Sequence, residues 1–375
     1  MAFPHARQLF TTVTGDHRLV LSIEPLEVPD PGPGDVVVAM KAVPINPSDL
    51  GLLLAPADMR TLRSETVEGY PALVADVRPE LRRMAAARAG KKLPAGNEGA
   101  GVVVAAGDGA DALLGKTVTI VGGQMYRTHR VMKAREAMPL PDGAAPAEGA
   151  SLFVNPMTVQ AFLMTMRDEG HTAIVHTAAA SNLGQMLAKL CAKERVPLVA
   201  IVRKDAQRTL LEGLGVQHIV DSSKESFMGD LIAACAATGA TLGFDAIGGG
   251  GLASSMLMAM EQALLQGGHE GGVYGTSVHK QVYLYGRLDT RPTELSAGFG
   301  LFWGVGGWLV TPRLQAAGLE RTIAMRRYAI EERNGIFASR YTRTIGLSGM
   351  IDPETARAYE RKATGEKFLV DPSLG

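Results

Sequence analysis

Cysteine is scarce in this chain. Only Cys191 and Cys235 carry thiols among its 375 residues. Two thiols cannot complete a four-thiolate zinc site, and they exclude the disulfide framework of a small secreted protein. Both cysteines lie in segments that we predict to be helices, and we expect a reduced, cytoplasmic setting.

Charge of one sign, aromatic rings and long apolar runs are also scarce. The 38 Lys and Arg residues balance the 38 Asp and Glu residues, and Phe, Trp and Tyr make up 5% of the chain. Such a chain lacks the basic surface and the stacking rings that nucleic-acid binding uses. The most apolar stretch, residues 298–310, is shorter than the roughly 20 residues of a membrane helix, and the first ten residues lack the apolar core of a signal peptide. We therefore expect neither a nucleic-acid nor a membrane partner.

Apolar residues, at 46%, are numerous enough for the cores of two or three domains. In residues 17–45 and 99–133, short β-rich runs alternate with Pro/Gly turns, which predicts strands joined by turns. The Pro/Ala/Gly-rich residues 139–146 indicate a domain boundary. The predicted strands are residues 18–23, 35–40, 101–104, 117–121 and 128–132.

The pattern changes after this boundary. Short apolar runs alternate with segments in which apolar residues recur at helical spacing, and this alternation predicts βαβ units around a parallel sheet covered on both faces. The fold class is therefore α/β. The predicted strands are residues 173–176, 198–202, 218–220 and 242–246, and the predicted helices are residues 182–193, 205–214 and 224–237.

Residues 51–92 fit neither pattern, and the hypotheses below concern residues 55–92. Their second part, residues 79–92, is rich in Ala and Arg and predicts a helix. One hypothesis is an insertion over the mouth of an active site, and the alternative is a surface elaboration without a chemical role.

The strand-turn-helix at residues 173–190 is where we expect the pyrophosphate of a dinucleotide. The three positions of a Gly-x-Gly-x-x-Gly motif are occupied by Ala179, Ser181 and Gly184, so only the last glycine is present. The preceding strand and the following helix strengthen this weak motif. Ser181 and Asn182 are suited to cap the helix, whose N-terminal amides attract an anion. We predict cofactor contacts from Ala179, Ser181, Asn182, Leu183 and Gly184.

The second strand of this region ends in Arg203-Lys204, and Arg208 follows one helical turn later. A chain that binds NAD usually has an acidic residue here, whereas a basic residue accommodates the 2′-phosphate of NADP. The alternative is a set of solvated charges at the start of a helix. We predict that Arg203, Lys204 and Arg208 select NADPH.

Residues 93–107, Leu-Pro-Ala-Gly-Asn-Glu-Gly-Ala-Gly-Val-Val-Val-Ala-Ala-Gly, resemble the strand-turn signature of the medium-chain dehydrogenases/reductases. Zinc-dependent members have a histidine before the glutamate, but this chain has Asn97 before Glu98. A carboxamide is a poor zinc ligand. The resemblance therefore implies a zinc-free, NADPH:quinone oxidoreductase-like member with similarity to enoyl-thioester reductases. The histidines also lack the pairing of metal ligands: His171, His176, His218, His269 and His279 are scattered.

The resemblance covers nearly the whole chain and implies its domains. A GroES-like, β-rich catalytic domain is expected from residues 1–150 and 311–375. A doubly wound Rossmann domain that binds NADP is expected from residues 151–310. Residues 364–369 resemble the family's last strand.

The resemblance implies that three asparagines occupy the positions at which zinc-dependent members place catalytic ligands: Asn46, Asn97 and Asn155. The resemblance implies that Asn46 and Asn155 donate hydrogen bonds to the cofactor or to a substrate oxygen, although Asn-Pro is also a common turn signal. Thr158 resembles the threonine that binds the nicotinamide ribose or its phosphate.

Two later segments resemble strands beside the nicotinamide. Residues 244–249 resemble the fourth Rossmann strand and its turn, and residues 282–286 resemble the fifth strand, although residues 273–275 compete for that role. Residues 299–309 then follow as the sixth strand. The cofactor contacts that we predict here are Ile247, Gly248, Tyr285 and Gly286.

The proton is expected to come from solvent or from a phenol, and Tyr126 is the best candidate for the phenol because residues 124–129 resemble the family's aromatic turn beside the nicotinamide. In enoyl-thioester reductases a tyrosine follows the segment equivalent to residues 46–49, and here Tyr70 is the nearest substitute. Both tyrosines have the alternative of being packing residues.

These residues predict an NADPH-dependent enzyme that transfers hydride to a small-molecule substrate, either a quinone or an α,β-unsaturated carbonyl compound, without zinc. Negative charge that develops on oxygen is then stabilised by hydrogen-bond donors. One alternative is 2-enoyl-thioester reduction, and another is an NADPH-binding sensor or structural protein with little turnover. The resemblance also implies a homodimer.

Overall fold

The structure is a computed structural model and describes residues 3–363 and 365–374. The chain divides into two compact units. The first contains the residues up to Val154 and those from Ala329 onward, and the second is Asn155–Tyr328. The sequence-based division at residue 310 differs, because most of the helical segment Val310–Glu331, which is interrupted at Gly318, belongs to the second unit.

The helices and strands follow the chain in three stretches. Up to Val154 they are β1 (Arg7–Val13), β2 (Arg18–Pro25), β3 (Asp35–Pro44), α1 (Pro47–Leu53), β4 (Arg63–Val67), β5 (Tyr70–Asp76), α2 (Arg82–Ala85), β6 (Leu93–Pro94), β7 (Glu98–Ala106), β8 (Thr117–Val121), β9 (His129–Lys133), β10 (Met138–Pro139) and α3 (Pro146–Gly149). Next come α4 (Val154–Asp168), β11 (Ile174–His176), α5 (Asn182–Glu194), β12 (Leu198–Val202), α6 (Asp205–Glu212), β13 (His218–Asp221), α7 (Phe227–Thr238), β14 (Leu242–Asp245), α8 (Leu252–Gln266), β15 (Gly271–Gly272), β16 (Gly275–Thr276), β17 (Lys280–Leu284), β18 (Trp303–Gly307) and α9 (Val310–Glu331). The last are β19 (Arg343–Ile345), α10 (Leu347–Met350), α11 (Pro353–Glu360) and β20 (Phe368–Val370).

The first unit is built on two sheets. One has the order β4-β5-β2-β1-β6, and the other has the order β10-β8-β7-β3-β20-β19, with β9 also paired to β3. Inward-facing side chains such as Leu9, Leu21 and Val38 are fully buried and form one core with Tyr126. β20 pairs with β3, so the C-terminal segment completes a sheet that begins near the N-terminus.

The segment at residues 55–92 is part of the first sheet and not a separate helical insertion. β4 and β5 form a hairpin, and β5 pairs with β2 in antiparallel register. Val20, Ala72 and Val74 form a small apolar cluster on this sheet. The predicted helix at residues 79–92 is correct only in part, since α2 has four residues and is flanked by single 3-10 turns. The hypothesis that residues 55–92 lie over the mouth of an active site stays a prediction.

The second unit is a parallel sheet of six strands in the order β13-β12-β11-β14-β17-β18. The order reverses direction at β11, which is the switch point at which doubly wound sheets bind ligands beyond their carboxyl ends. Every residue of β12 is buried, which explains why its apolar run shows no alternation. The prediction of an α/β fold with a parallel sheet is confirmed, and the fifth strand, Lys280–Leu284, begins two residues before the predicted residues 282–286.

The structure bears on four further expectations. The sixth strand is shorter than predicted, at residues 303–307, and residues 273–275 belong to the small β15-β16 hairpin. Cys191 and Cys235 are buried in α5 and α7, and burial raises the pKa of each thiol to about 12. Thr364 lies outside the described residues, and the last strand begins at Phe368.

In the described part of the chain, no helix is both long and apolar enough to cross a membrane.

The hairpin's place in the sheet gives a testable prediction. Val74→Ala removes buried methyl groups from β5, and we expect the free energy of unfolding to fall by about 2 kcal/mol in urea titrations. Thr66→Ala on exposed β4 is the control, expected to stay within roughly 0.5 kcal/mol of the wild type. Equal stability of the two variants would mean that the hairpin packs independently of the first sheet.

Candidate functional site

Asn46 precedes α1 and is 2% exposed. Its side-chain Nδ2 donates to Glu98 Oε1 at 2.8 Å, whereas its Oδ1 is buried and has no partner among the described residues. The reverse amide orientation would place two acceptors together, so the carboxylate fixes the side chain. The predicted role of Asn46 as a donor to cofactor or substrate stays a prediction, and the atom left open is an acceptor.

Asp49 lies one turn into α1 and organises the same region. Its Oδ2 accepts from the backbone N of Asn46 at 2.8 Å, and its Oδ1 accepts from the backbone N of Asn97 at 3.0 Å. Burial raises the pKa of this carboxyl to about 7, and the charge of Glu98 adds to the effect. Asp49 thereby joins the start of α1 to the turn before β7.

Glu98 begins β7 and is 1% exposed. Besides Asn46, it accepts from the backbone N atoms of Phe153 and Val154 at 2.8 and 2.9 Å. Burial raises the pKa of this carboxyl, while the charge of Lys367 and the three donors act in the opposite direction. A buried carboxylate needs such donors because desolvation is costly.

Lys367 is the buried cation of this group. Its Nζ donates to Ser151 Oγ at 2.8 Å, and Ser151 Oγ also lies 2.8 Å from Tyr341 Oη. Burial lowers the pKa of Lys367 to about 8, and the charges of Glu98 and Asp49 counteract that shift. The first unit therefore contains a buried polar network of residues from five parts of the chain, at positions 46–49, 97–98, 151–154, 341 and 367.

Asn97 presents its side chain beside Ser48, with Nδ2 donating to Ser48 Oγ at 3.1 Å. Carboxamides thus stand at residues 46 and 97, and neither is a good zinc ligand. Within the described residues, no three His, Cys, Asp or Glu side chains are grouped so that they could hold a metal ion.

The two tyrosines proposed as proton donors have different surroundings. Tyr126 is completely buried in the core, and its hydroxyl donates to the carbonyl of Pro44 at 3.0 Å. Burial raises the pKa of its phenol. This placement favours the packing alternative, because a proton donor has to reach its substrate. Tyr70 is partly exposed at the start of β5.

Asn155 and Thr158 lie in the first turn and a half of α4, 8% and 6% exposed. Asn155 is the first residue of the second unit, and Thr158 follows it by less than one helical turn. Their predicted contacts with substrate or cofactor stay predictions.

The turn after β11 has the close packing of a dinucleotide site. Ser181 caps α5 by accepting from the backbone N of Gly184 at 3.1 Å. A Cβ on Gly184 would lie 2.1 Å from the carbonyl oxygen of Ala179, so only glycine fits between turn and helix. Asn182 and Leu183 form the first turn of the capped helix, whose amide ends attract an anion. These residues fit the pyrophosphate of a dinucleotide.

Arg203 and Lys204 follow β12 and are both exposed. In the part of the chain that the structure describes, neither forms an ion pair. Arg208, in contrast, has two partners: its guanidinium donates to the carbonyl of Ile219 at 2.9 Å and lies 4.0 Å from the carboxylate of Glu212. Two exposed cations without ion-pair partners among the described residues, Arg203 and Lys204, thus lie at the end of the second strand. The charge of Arg208 is partly neutralised by Glu212.

The turns after β14 and β17 touch each other. A Cβ on Gly248 would lie 2.6 Å from the carbonyl oxygen of Gly286, and a Cβ on Gly286 would lie 2.6 Å from that of Ala246. Asp245 fixes the first turn by accepting from the backbone N atoms of Ile247 and Gly248. A cleft of about 500 Å³ lies at this edge of the sheet, lined by Gly248, Leu284, Tyr285, Gly286, Arg287, Thr293 and Gly307.

Tyr285 in this cleft is bonded to His176, the last residue of β11. The hydroxyl lies 2.8 Å from His176 Nε2, and the ring planes are stacked within 18°. Phe162 packs edge-on against Tyr285 with ring centroids 4.9 Å apart. His176 is completely buried, and burial lowers its pKa to about 3, so the imidazole is neutral.

Sequence reasoning missed four of these residues: the acids Asp49 and Glu98, the cation Lys367 and the histidine at 176. Asp49 and Glu98 stood inside segments chosen for their asparagines, and their acidity next to a predicted core was a usable signal. His176 ends a predicted buried strand, which was a similar signal. Their partners lie up to 216 residues away, and spacing along the chain does not reveal such pairs.

No model of a known protein family matches the chain. Among curated proteins it is similar to the mitochondrial enoyl-acyl-carrier-protein reductase of Bos taurus, at 28% identity over 214 residues, which is 55% of this chain and 50% of that protein. It is also similar to the synaptic vesicle membrane protein VAT-1 homolog of Rattus norvegicus, at 26% identity over 251 residues, 66% of this chain and 55% of that protein. The chain spans about half the length of the curated relatives it matches.

Solved structures match over nearly the whole chain. A Mesorhizobium loti protein proposed to be an NADPH:quinone reductase superposes with a TM-score of 0.72 at 23% identity, covering 99% of this chain and 100% of that one. The mitochondrial 2-enoyl thioester reductase heterodimer of Candida tropicalis gives a TM-score of 0.69 at 18% identity, covering 98% and 99%. The chain therefore has the fold of the medium-chain dehydrogenases/reductases, with a GroES-like and a Rossmann part, and the resemblance predicted from residues 93–107 is confirmed.

Proposed function

We propose that the protein is an NADPH-dependent oxidoreductase that transfers hydride to a quinone or an α,β-unsaturated carbonyl compound without zinc. The observation that carries this proposal is the combination of the close turn at Gly184 with two open cations at the end of the second strand. The turn suits a pyrophosphate, and the cations Arg203 and Lys204 suit a 2′-phosphate.

NADPH, when bound, supplies the hydride, and the chain's own residues bind and orient it. Ala179, Ser181 and Gly184 are proposed to hold the pyrophosphate at the start of α5. Gly248 and Gly286, whose turns leave no room for side chains, are proposed to let the nicotinamide half approach the sheet. The proposed contacts of Thr158, Arg208, Ile247 and Leu183 belong to the same site.

The proposal excludes zinc on the chemistry of the ligand positions. Asn46, Asn97 and Asn155 replace ligand types that zinc prefers by neutral carboxamides. A reaction that needs no Lewis acid, such as hydride addition to an electron-poor carbon or to a quinone, suits such a set. Charge that develops on the acceptor's oxygen then has to be met by hydrogen-bond donors.

Reduction of 2-enoyl thioesters is the second candidate. It is favoured by the curated relatives, because several are named as mitochondrial enoyl-acyl-carrier-protein reductases. Both candidates use NADPH and an activated double bond or quinone, and they differ in whether a thioester handle is required.

Steady-state kinetics with purified protein in a chelator test the proposal. We expect oxidation of NADPH but little of NADH, with 1,4-benzoquinone, 9,10-phenanthrenequinone, an enone and crotonyl-CoA as acceptors. Replacing Arg203 and Lys204 by Ala removes two cations from the 2′-phosphate, and we expect the KM for NADPH to rise roughly tenfold or more while NADH kinetics stay unchanged. Arg167→Gln, which removes an exposed arginine paired with Glu194, is the control.

The acceptor profile separates the candidates. Turnover confined to crotonyl-CoA supports the thioester reductase, and turnover with quinones or the enone supports the leading proposal. A preference for NADH would contradict the assignment of Arg203 and Lys204. Tight NADPH binding without turnover on any acceptor would contradict both enzyme proposals and favour an NADPH-binding sensor or structural protein.

We also propose a homodimer formed at the β18 edge of the parallel sheet. β18 pairs only with β17 in the described part of the chain, which leaves one side of its backbone open. Apolar side chains surround this edge on the β15-β16 hairpin and before β18: Val273 is 97% exposed, Tyr274 72%, Leu301 71% and Phe302 51%. The backbone N of Leu301 donates to the carbonyl of Tyr274, so these residues form one surface. Open strand edges beside apolar patches are typical of protein interfaces.

The mass of the protein in solution tests this interface. We expect a dimer by sedimentation or light scattering, and a monomer when Val273→Asp and Leu301→Asp place charges in the contact. Leu319→Asp, at an equally exposed leucine of α9, is the control and should remain dimeric. A wild-type monomer at micromolar concentration would contradict the proposal.

A further inference from the structure

His176 has a buried ring nitrogen that nothing satisfies. Its Nε2 lies 2.8 Å from the Tyr285 hydroxyl, but its Nδ1 has no partner among the described residues and is closed to solvent. The ring is neutral, so one nitrogen carries a hydrogen and the other a lone pair. Which nitrogen carries the hydrogen decides what the tyrosine hydroxyl is able to do.

The two tautomers differ in the group they leave unsatisfied. With the hydrogen on Nδ1, a buried N–H donor would lack an acceptor. With the hydrogen on Nε2, Nε2–H donates to Tyr285, the Nδ1 lone pair is unsatisfied, and the O–H of Tyr285, a residue that lines the cleft, has no acceptor among the described residues. Orphaned buried N–H groups are the rarer of the two in proteins. We therefore assign the hydrogen to Nε2.

This tautomer leaves the proton of Tyr285 available. The tyrosine oxygen accepts from His176, and in the described residues the hydroxyl has no second partner. Tyr285 lines the cleft of about 500 Å³ together with Gly248 and Gly286. Burial, together with the charge of Asp245, raises the pKa of its phenol, so the hydroxyl keeps its proton at neutral pH.

The rings are held rigidly. Phe162 stacks on Phe244 with centroids 3.9 Å apart and meets Trp308 edge-on at 4.7 Å. The indole N–H of Trp308 donates to Thr165 Oγ1 at 3.2 Å. A donor in such a frame loses little freedom when it binds an acceptor, which is the requirement for effective catalysis.

We propose that Tyr285 donates the proton that completes reduction of the acceptor, and that His176 is the residue that positions it. The proposal rests on the proposed reductase function and identifies its proton donor. Hydride addition to the β-carbon breaks the double bond of an α,β-unsaturated carbonyl compound and leaves an enolate. The O–H bond of Tyr285 then breaks, a C–H bond forms at the α-carbon, and the tyrosinate is stabilised by His176 Nε2–H until solvent returns a proton.

Kinetics of Tyr285→Phe test the donor. We expect kcat with the acceptor that the wild type prefers to fall about 100-fold or more, and the Kd for NADPH, measured by fluorescence, to stay within about threefold. The solvent deuterium isotope effect on kcat should increase, because protonation by water becomes slow. Tyr283→Phe is the matched control. Tyr283 lies in β17, two residues before Tyr285, and its hydroxyl bonds to Glu169 and Arg313.

Two His176 variants test the positioning role. His176→Gln keeps a nitrogen donor near Nε2 and should retain most of kcat, whereas His176→Leu has no donor and should lose about tenfold or more. Equal loss in both variants would mean that the ring matters only for packing. A Tyr285→Phe variant with wild-type kcat, or with a raised Kd for NADPH and no other change, would overturn the proposal.

The tautomer is measurable without cofactor or acceptor. Nitrogen-15 NMR of the free protein should show His176 protonated at Nε2, and protonation at Nδ1 would overturn the proposal whatever the kinetics. A wild type that reduces no acceptor would refute the reductase function and with it the donor role, even if the Nε2–H tautomer were observed. The two failures are thus distinguished.

Discussion

The buried carboxylate of Glu98 is the constraint on which the first unit's candidate site depends. It gathers Asn46 at the start of α1 and the backbone of Phe153 and Val154 at the start of α4, while Lys367, from the C-terminal segment, supplies the opposite charge. Removing one partner of such a group leaves an uncompensated buried charge, which costs roughly 3–5 kcal/mol. The network therefore holds a single arrangement of segments that are far apart in the sequence, and it orients the side-chain amide of Asn46.

Burial and the opposite charges in this network together explain the shifted pKa values of its two acids, Asp49 and Glu98, and of its base, Lys367. Burial raises the pKa of Asp49 to about 7 and lowers that of Lys367 to about 8, which shifts each group towards its neutral form. Their mutual attraction, and the backbone donors around Asp49 and Glu98, work against that tendency. Buried ion pairs often add little to stability, because desolvation offsets attraction, but they penalise every arrangement that leaves one partner alone. The network therefore contributes to the specificity of the local fold more than to its stability.

The sequence was informative where burial imposes a repeating pattern. The apolar runs of β8 and β12 predicted strands with the observed bounds, and the alternation of strands and helices predicted the parallel sheet. It was uninformative where neighbours decide the structure. β4, with the sequence Arg-Ser-Glu-Thr-Val, becomes a strand because β5 pairs with it, and the Ala/Arg-rich residues after it form only short turns. The same distinction holds for the candidate site. The Gly184 turn was predictable from local sequence. The pair of His176 and Tyr285 was not, because it forms only when β11, β14 and β17 become neighbours in the sheet.

That adjacency connects the fold to the chemistry proposed for it. A zinc ion stabilises developing negative charge by its own charge, and a site made of carboxamides has to use oriented dipoles and O–H donors instead. Such donors are effective only when they are fixed before the reaction, because reorientation during the reaction consumes the energy they would contribute. The parallel sheet fixes Tyr285 through its backbone, the aromatic rings fix the plane of its phenol, and the neutral imidazole fixes its oxygen. The Nδ1 atom of His176 is buried without a partner among the described residues, and the proposed proton donation by Tyr285 would give this arrangement a role in the reaction.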